Sequence, residues 1–207
     1  MIMAKMYGFK DGGEKPSASY PMLPKGAYVA GIKNIKIDGK APERQIVIRL
    51  DIIEGEYAGY FTKRYEHDKN RGGNYEVKYK GDYKLWIPDP NNTKRDHPEW
   101  DASKINTFTY CVNASNPGFV FDGDDAHIAQ LKGKIIGISM QQCSLNGIAY
   151  TRIYRPEVAD DVRQGIVKPV KDGPDRMTGD NTSAPAQAAT DPSGFTPVEV
   201  DTEELPF

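Results

Sequence analysis

Arg44-Gln45-Ile46-Val47-Ile48-Arg49-Leu50-Asp51-Ile52-Ile53 decides the fold. Ile46, Ile48, Leu50 and Ile52 fall on one side of an extended chain and Gln45, Val47, Arg49 and Asp51 on the other, which is the two-residue period of a half-buried β-strand. On its N-terminal side, Ala27 to Ile37 sets Tyr28, Val29, Ile32, Ile35 and Ile37 among short polar residues. Asp38-Gly39-Lys40-Ala41-Pro42 between the two segments is turn chemistry. On its C-terminal side, Glu54-Gly55-Glu56 reads as another turn and Tyr57 to Glu66 as a third strand. The chain up to Glu66 is expected to form an antiparallel meander.

Between His67 and Trp100 the pattern breaks up, with turn-forming clusters at Asn70-Arg71-Gly72-Gly73-Asn74 and Pro88-Asp89-Pro90-Asn91-Asn92. As a helix, Tyr75 to Ile87 would align Tyr75, Tyr79, Tyr83 and Trp86; as a strand, Tyr75, Val77 and Tyr79 would share a face. The helix is the preferred reading, with Gly81 its weak point. Ser103 is a plausible N-cap for a helix through Asn113, and Asp122 for a shorter one over residues 123–132 ending at Gly133. Lys134 to Ser144 then predicts a strand, and Asn146-Gly147 is a hairpin signal leading into Ile148 to Tyr154. Three strands, a helical insertion and a hairpin are the element order of a five-stranded OB-fold barrel, so the expected class is mainly β. The expected organisation is a flexible arm at 1–21, an OB domain at 22–158 with its insertion at about 67–123, a disordered linker at 159–198, and an acidic tip at 199–207.

Composition narrows the function. The 207 residues have room for one ordinary domain plus tails. The net charge of -2 hides a split: residues 1–160 carry 23 Lys and Arg against 20 Asp and Glu, and residues 161–207 carry 4 against 9. That asymmetry suggests a polyanion on the body and a separate role for the tail. No apolar run approaches the roughly 20 residues of a membrane span, and no signal-peptide core opens the chain. A soluble, cytosolic protein is therefore expected. Cys111 and Cys143 stand in apolar surroundings as small core side chains, and three scattered histidines make no zinc pattern. No cofactor motif is present, neither a phosphate loop nor a dinucleotide fingerprint. Asp122, Asp124 and Asp125 invite a metal-dependent nuclease reading, but acids at a helix start explain them better, and a non-enzymatic role is expected.

Leu23-Pro24-Lys25-Gly26-Ala27-Tyr28, then Leu50-Asp51-Ile52-Ile53-Glu54-Gly55-Glu56-Tyr57-Ala58-Gly59, resembles a family of bacteriophage replication-region proteins regarded as single-stranded-DNA-binding OB folds. Leu131-Lys132-Gly133-Lys134 and Asn146-Gly147-Ile148-Ala149-Tyr150 extend the resemblance over roughly residues 20–156. The insertion at residues 67–100 departs from the simplest members. Glu203-Glu204-Leu205-Pro206-Phe207 is similar to the acidic tip of bacterial single-stranded-DNA-binding proteins, which recruits replication and repair partners. The resemblance implies a protein that coats single-stranded DNA, largely without sequence preference, in replication or recombination. The number of barrels in its assembly is left open, and a protein-interaction adaptor of a phage replication complex is the alternative.

Such binding needs cations for phosphates and exposed rings for bases. Residues 57–86 hold eight of the chain's 21 aromatics among basic neighbours. The expected DNA contacts there are Tyr60, Phe61, Lys63, Arg64, Tyr65, Arg71, Tyr75, Lys78, Tyr79 and Trp86, against the common alternative that aromatic stripes are core. Arg49 on the second strand and Tyr150, Arg152 and Tyr154 on the last extend the set. The expected partner-docking residues are Asp201, Glu203, Glu204, Leu205, Pro206 and Phe207, an acidic run ending in a small apolar hook.

Overall fold

The chain runs in the order β1 (Gly26–Asp38), β2 (Gln45–Ile52), α1 (Tyr60–Asn70), β3 (Asp82–Trp86), α2 (Pro98–Ser115), a 3-10 turn (Asp125–Leu131), β4 (Ile135–Leu145), β5 (Ile148–Glu157), α3 (Ala159–Arg163) and the two-residue β6 (Asp175–Arg176). The computed structural model describes residues 19–71, 76–93, 95 and 97–176, within a unit that ends at Arg176. The expected tip, the linker beyond Arg176, the arm up to residue 18 and Tyr75 lie outside the described residues.

β1 serves two neighbours. Its first half pairs with β4 from Gly26↔Met140 to Gly31↔Ile135, and its second half with β2 from Ala30↔Ile52 to Asp38↔Gln45, all antiparallel. The register shifts between Ile32 and Asn34, so Lys33 is the extra residue of a bulge, which bends the strand between its two partners. The sheet order is β3-β2-β1-β4-β5, with β6 parallel beside β4. β3 and β5 stand at its two ends. The mainly β expectation holds in coarse form: this is an open six-stranded sheet with a few helices, not a closed barrel.

The four alternating residues of the opening stretch all lie in the core, joined by Ala30 and Ile32 of β1 and Ile136, Ile138 and Met140 of β4. Each such fully buried aliphatic chain contributes about 1.5–3 kcal/mol. Phe108, Cys111 and Val112 of α2, with Leu131, complete that core. The Asn116 side chain fastens the end of α2 to β4: its amide donates to the Val112 and Ile135 carbonyls at 2.7 Å each, and its oxygen accepts from Ile135 N at 3.0 Å. The Asn146-Gly147 turn, with φ of 51° and 74°, closes the β4–β5 hairpin as its sequence predicts.

Five expectations are corrected. The third strand predicted at Tyr57 to Glu66 is instead a turn followed by α1. Its helical start has no cap from Gly59; the buried carboxylate of Asp51 on β2 takes that role. One Asp51 oxygen accepts from Ile52 N and Phe61 N at 3.0 Å each, and the Thr62 hydroxyl donates to the other. This tertiary cap outweighs the strand preference of the local Tyr, Phe and Thr residues. The helix preferred over Tyr75 to Ile87 is also wrong, because residues 76–79 are irregular and β3 follows. Gly81 explains it: Leu50 N donates to the Gly81 carbonyl at 2.9 Å, and a Cβ on Gly81 would collide with the Leu50 carbonyl oxygen and lie 2.8 Å from the Phe61 ring. Finally, the stretch from residue 159, expected to begin the linker, carries α3 and then a strap that returns to β4. Along it Gly173 N donates to the Gln142 carbonyl at 2.8 Å, and the Gln141 amide to the Lys171 carbonyl at 3.0 Å. α2 starts at Pro98 instead of near Ser103, and Asp124 rather than Asp122 caps the short turn.

Replacing Asp51 by Ala strips three donors of their buried acceptor, two of them backbone N–H groups. We expect Asp51→Ala to lower stability by about 3 kcal/mol, read from the urea midpoint. An unchanged midpoint would show that α1 is held by packing alone.

Candidate nucleic-acid interface

The ends of the open sheet leave a cavity of about 700 Å³ between β3 and the β4–β5 hairpin. Its basic lining comes from three elements: Arg64 from α1, Lys80 and Lys84 from the β3 segment, and Arg152 from β5. Tyr83 and Tyr150 supply rings, and Leu145, Asn146 and Ile148 form its rim at the hairpin tip. Asp82 is the one acid in the lining. It is already neutralised, since Arg49 donates to both its oxygens at 2.9 and 3.1 Å. Among the described residues Lys80, Lys84 and Arg152 therefore keep their positive charge without an acid partner, while Arg64 has Asp68 3.8 Å away.

A second cavity of about 340 Å³ adjoins the first through Arg64 and Lys80, which line both. Arg71 and Lys78 add cations there, beside Asp68 and Glu76. Arg64 sits at the junction. Its Nη1 approaches the Tyr60 hydroxyl at 3.4 Å and its Nε lies 3.8 Å from Asp68, while the buried Nε makes no hydrogen bond. A buried N–H without an acceptor is a costly group to leave unfilled.

The structure divides the sequence-predicted residues into three groups. Arg64, Arg71, Lys78, Tyr150 and Arg152 line the joined cavities. Tyr60 and Phe61 do not: at 5% and 2% exposure they are core side chains, and base stacking on them is ruled out by the rings already packed there. The Tyr60 hydroxyl donates to the Pro21 carbonyl at 2.7 Å and accepts from Leu23 N at 2.9 Å, tying the N-terminal segment to α1. The remaining residues lie at the margins. Tyr79 is half-buried, donates to the Leu50 carbonyl at 3.0 Å, and carries the Arg49 guanidinium 4.7 Å above its ring, with Tyr65 tilted against it. Lys63 turns back to the Ala58 carbonyl at 2.8 Å. Trp86 lies at the far end of β3 under Arg95, which is engaged with Asp101 at 2.8 Å. Tyr154 is exposed outside both cavities.

Lys80, Tyr83 and Lys84 belong to the aromatic and basic run at residues 57–86 but are not among the expected contacts. All three line the first cavity. The acids considered for metal chemistry are otherwise employed. Asp124 caps the 3-10 turn, Asp125 pairs with Arg44 at 2.8 Å, and Asp122 with His127 at 2.8 Å. The Asp124 backbone N–H, which donates to Asp122 at 3.0 Å, and the His127 ring hold the Asp122 carboxylate below its usual range, and Asp122 in turn raises His127. Cys111 and Cys143 are buried free thiols, the former pushed up to about 11 by burial. Among the described residues no helix is long and apolar enough to cross a membrane. Comparison with protein-family models and with curated proteins finds no match for the chain.

Burial pushes the phenols of Tyr79 and Tyr83 up to about 12, and that of Tyr28 as well. The folded state favours neutral phenol, whereas unfolded tyrosine ionises near pH 10. Their contribution is thus complete below pH 10 and lost as pH rises to about 12. We expect the urea midpoint to fall between pH 10 and 12, and Tyr83→Phe to reduce that fall by on the order of 1 kcal/mol. Equal falls in the two proteins would place Tyr83 in water.

Proposed function

We propose that the chain is a single-stranded-DNA-binding protein that holds the strand along the two joined cavities. The observation that carries this reading is the convergence of Arg64, Lys80, Lys84 and Arg152 on one cavity that also presents Tyr83 and Tyr150. Phosphates take the cations and bases the rings, a combination indifferent to sequence because every base has a face to stack. The strand path supports an OB-type architecture: pairing β3 with β5 would close it into a five-stranded barrel, and OB barrels are partly open. The cleft lies at that missing pairing, against the hairpin joining the fourth and fifth strands. A role in phage replication or recombination follows the resemblance of the Leu23–Tyr28 and Leu50–Gly59 segments. We further propose that Asp201 to Phe207 docks a replication or recombination protein.

The burial of Tyr60 and Phe61 favours the protein-adaptor alternative, which expects most rings inside. That alternative gives the cation set no task. The two separate in a fluorescence-anisotropy titration of labelled poly-dT. We expect Lys80→Ala with Lys84→Ala to weaken binding about tenfold and to flatten the log-log salt slope by about 1.4, two phosphates at 0.7 each. Tyr150→Ala should cost about 1–3 kcal/mol. Wild-type protein that leaves poly-dT unshifted at micromolar concentration and low salt would turn the reading to the adaptor.

The tip is tested on a chain ending at Val198. Its affinity for poly-dT should equal or exceed that of the full chain, because only acidic residues and a small apolar hook are lost. Weaker DNA binding would make the tip part of the DNA site.

A further inference from the structure

The β4–β5 hairpin ends in two aliphatic side chains that the core does not use. Leu145 and Ile148 are register partners on either side of the Asn146-Gly147 turn, 41% and 73% exposed. Apolar hairpin tips are ordinary in contacts between protein copies, but the surroundings of this one are basic. The tip rims the cavity that holds Arg64, Lys80, Lys84 and Arg152, and exposed Arg176 lies in register with Leu145 on the other side of β4. A hydrophobic protein surface brought here would bury those cations; a polyanion would pair them.

The tip is also stiffened from behind. β6 pairs in parallel with Ser144 and Leu145, and Asn146 N donates to the Arg176 carbonyl at 3.0 Å. One residue type further back, Gly173 permits the strap to press on the hairpin, since a Cβ there would come within 2.5 Å of the Cys143 sulfur. A loop tip with nothing to do has no need of such support. A tip that pushes on a stacked structure does, because a compliant one would fold away.

We infer that Leu145 and Ile148 form a wedge that opens duplex DNA where it meets the single strand seated in the cavities. The aliphatic side chains replace the stacking partner of the first base pair, as apolar wedges do between base steps in bent DNA. The cations of the cavity draw off one freed strand, and Arg176 faces the phosphates of the other. This rests on the single-strand-binding reading and adds to it an activity at junctions.

The test uses the full chain and a duplex carrying a single-stranded dT tail, with 2-aminopurine in the first base pair. Tail occupancy is followed separately by anisotropy of a label on the tail, and every protein is compared at saturation. We expect wild type to raise 2-aminopurine fluorescence, and Leu145→Ser with Ile148→Ser to shift the opening equilibrium back by about tenfold, within what one stacked base is worth. Ile148→Leu should restore most of the opening. Equal opening by the serine variant at equal occupancy would overturn the wedge, since trapping of the frayed strand would then suffice. So would a change in oligomeric state of the serine variant by sedimentation, which would make the tip a contact between copies. A saturated tail with no fluorescence rise in wild type removes the wedge alone, whereas an unbound tail removes the single-strand reading with it.

Discussion

Two neighbouring residues of β2, Asp51 and Leu50, hold the two elements that make one wall of the candidate site. Asp51 sits on the central run of β2, 2% exposed, and its oxygens are filled by the first turn of α1. From the same run, the Leu50 backbone holds the next segment: its carbonyl accepts from the Tyr79 hydroxyl and its N–H donates to the Gly81 carbonyl. Arg64 comes from the first of these attachments and Lys80, Tyr83 and Lys84 from the second. Two adjacent residues of β2 thus place one wall of the cavity and its junction. The opposite wall is independent of it, set by the tight Asn146-Gly147 turn and by the strap.

The sheet was legible where a local pattern and a global partner agreed. β1, β2, β4 and β5 each alternate over a span long enough for the core face to be read, and the Asn-Gly pair fixes the hairpin register without any tertiary information. α1 was not legible because its cap is supplied by a residue nine positions upstream of its first residue, on another element, and because Tyr, Phe and Thr carry strand preference. β3 was hidden by an accident of spacing. Tyr75, Tyr79, Tyr83 and Trp86 recur at helical intervals, yet Tyr79 and Tyr83 are placed by separate contacts on either side of Gly81. Glycine there is required by a close backbone approach and not by a turn, a demand that belongs to Leu50 and Phe61.

The same cause divides the predicted site. Composition pointed to the stretch from Tyr57 to Trp86, and Arg64, Arg71, Lys78, Lys80, Tyr83 and Lys84 of that stretch line the two cavities. It could not say which rings face water, because Tyr60 and Phe61 are buried by the helical turn that the sequence disguised. Lys80 and Lys84 stood among the basic neighbours of those rings without being taken as contacts, and Arg49 was chosen as a phosphate ligand although its guanidinium is spent on Asp82. Its contribution is indirect: by cancelling that acid it leaves the rest of the lining positive.

The open ends of the sheet have a bearing on how the protein keeps to itself. An unpaired strand edge is a template for another chain, and β3 and β5 present two of them. Exposed Lys84 on β3 and Lys80 just before it stand along the first edge, where a second copy adding edge to edge would bring like charges together. The same two lysines therefore set like charge against like along this edge and discourage free copies from pairing edge to edge.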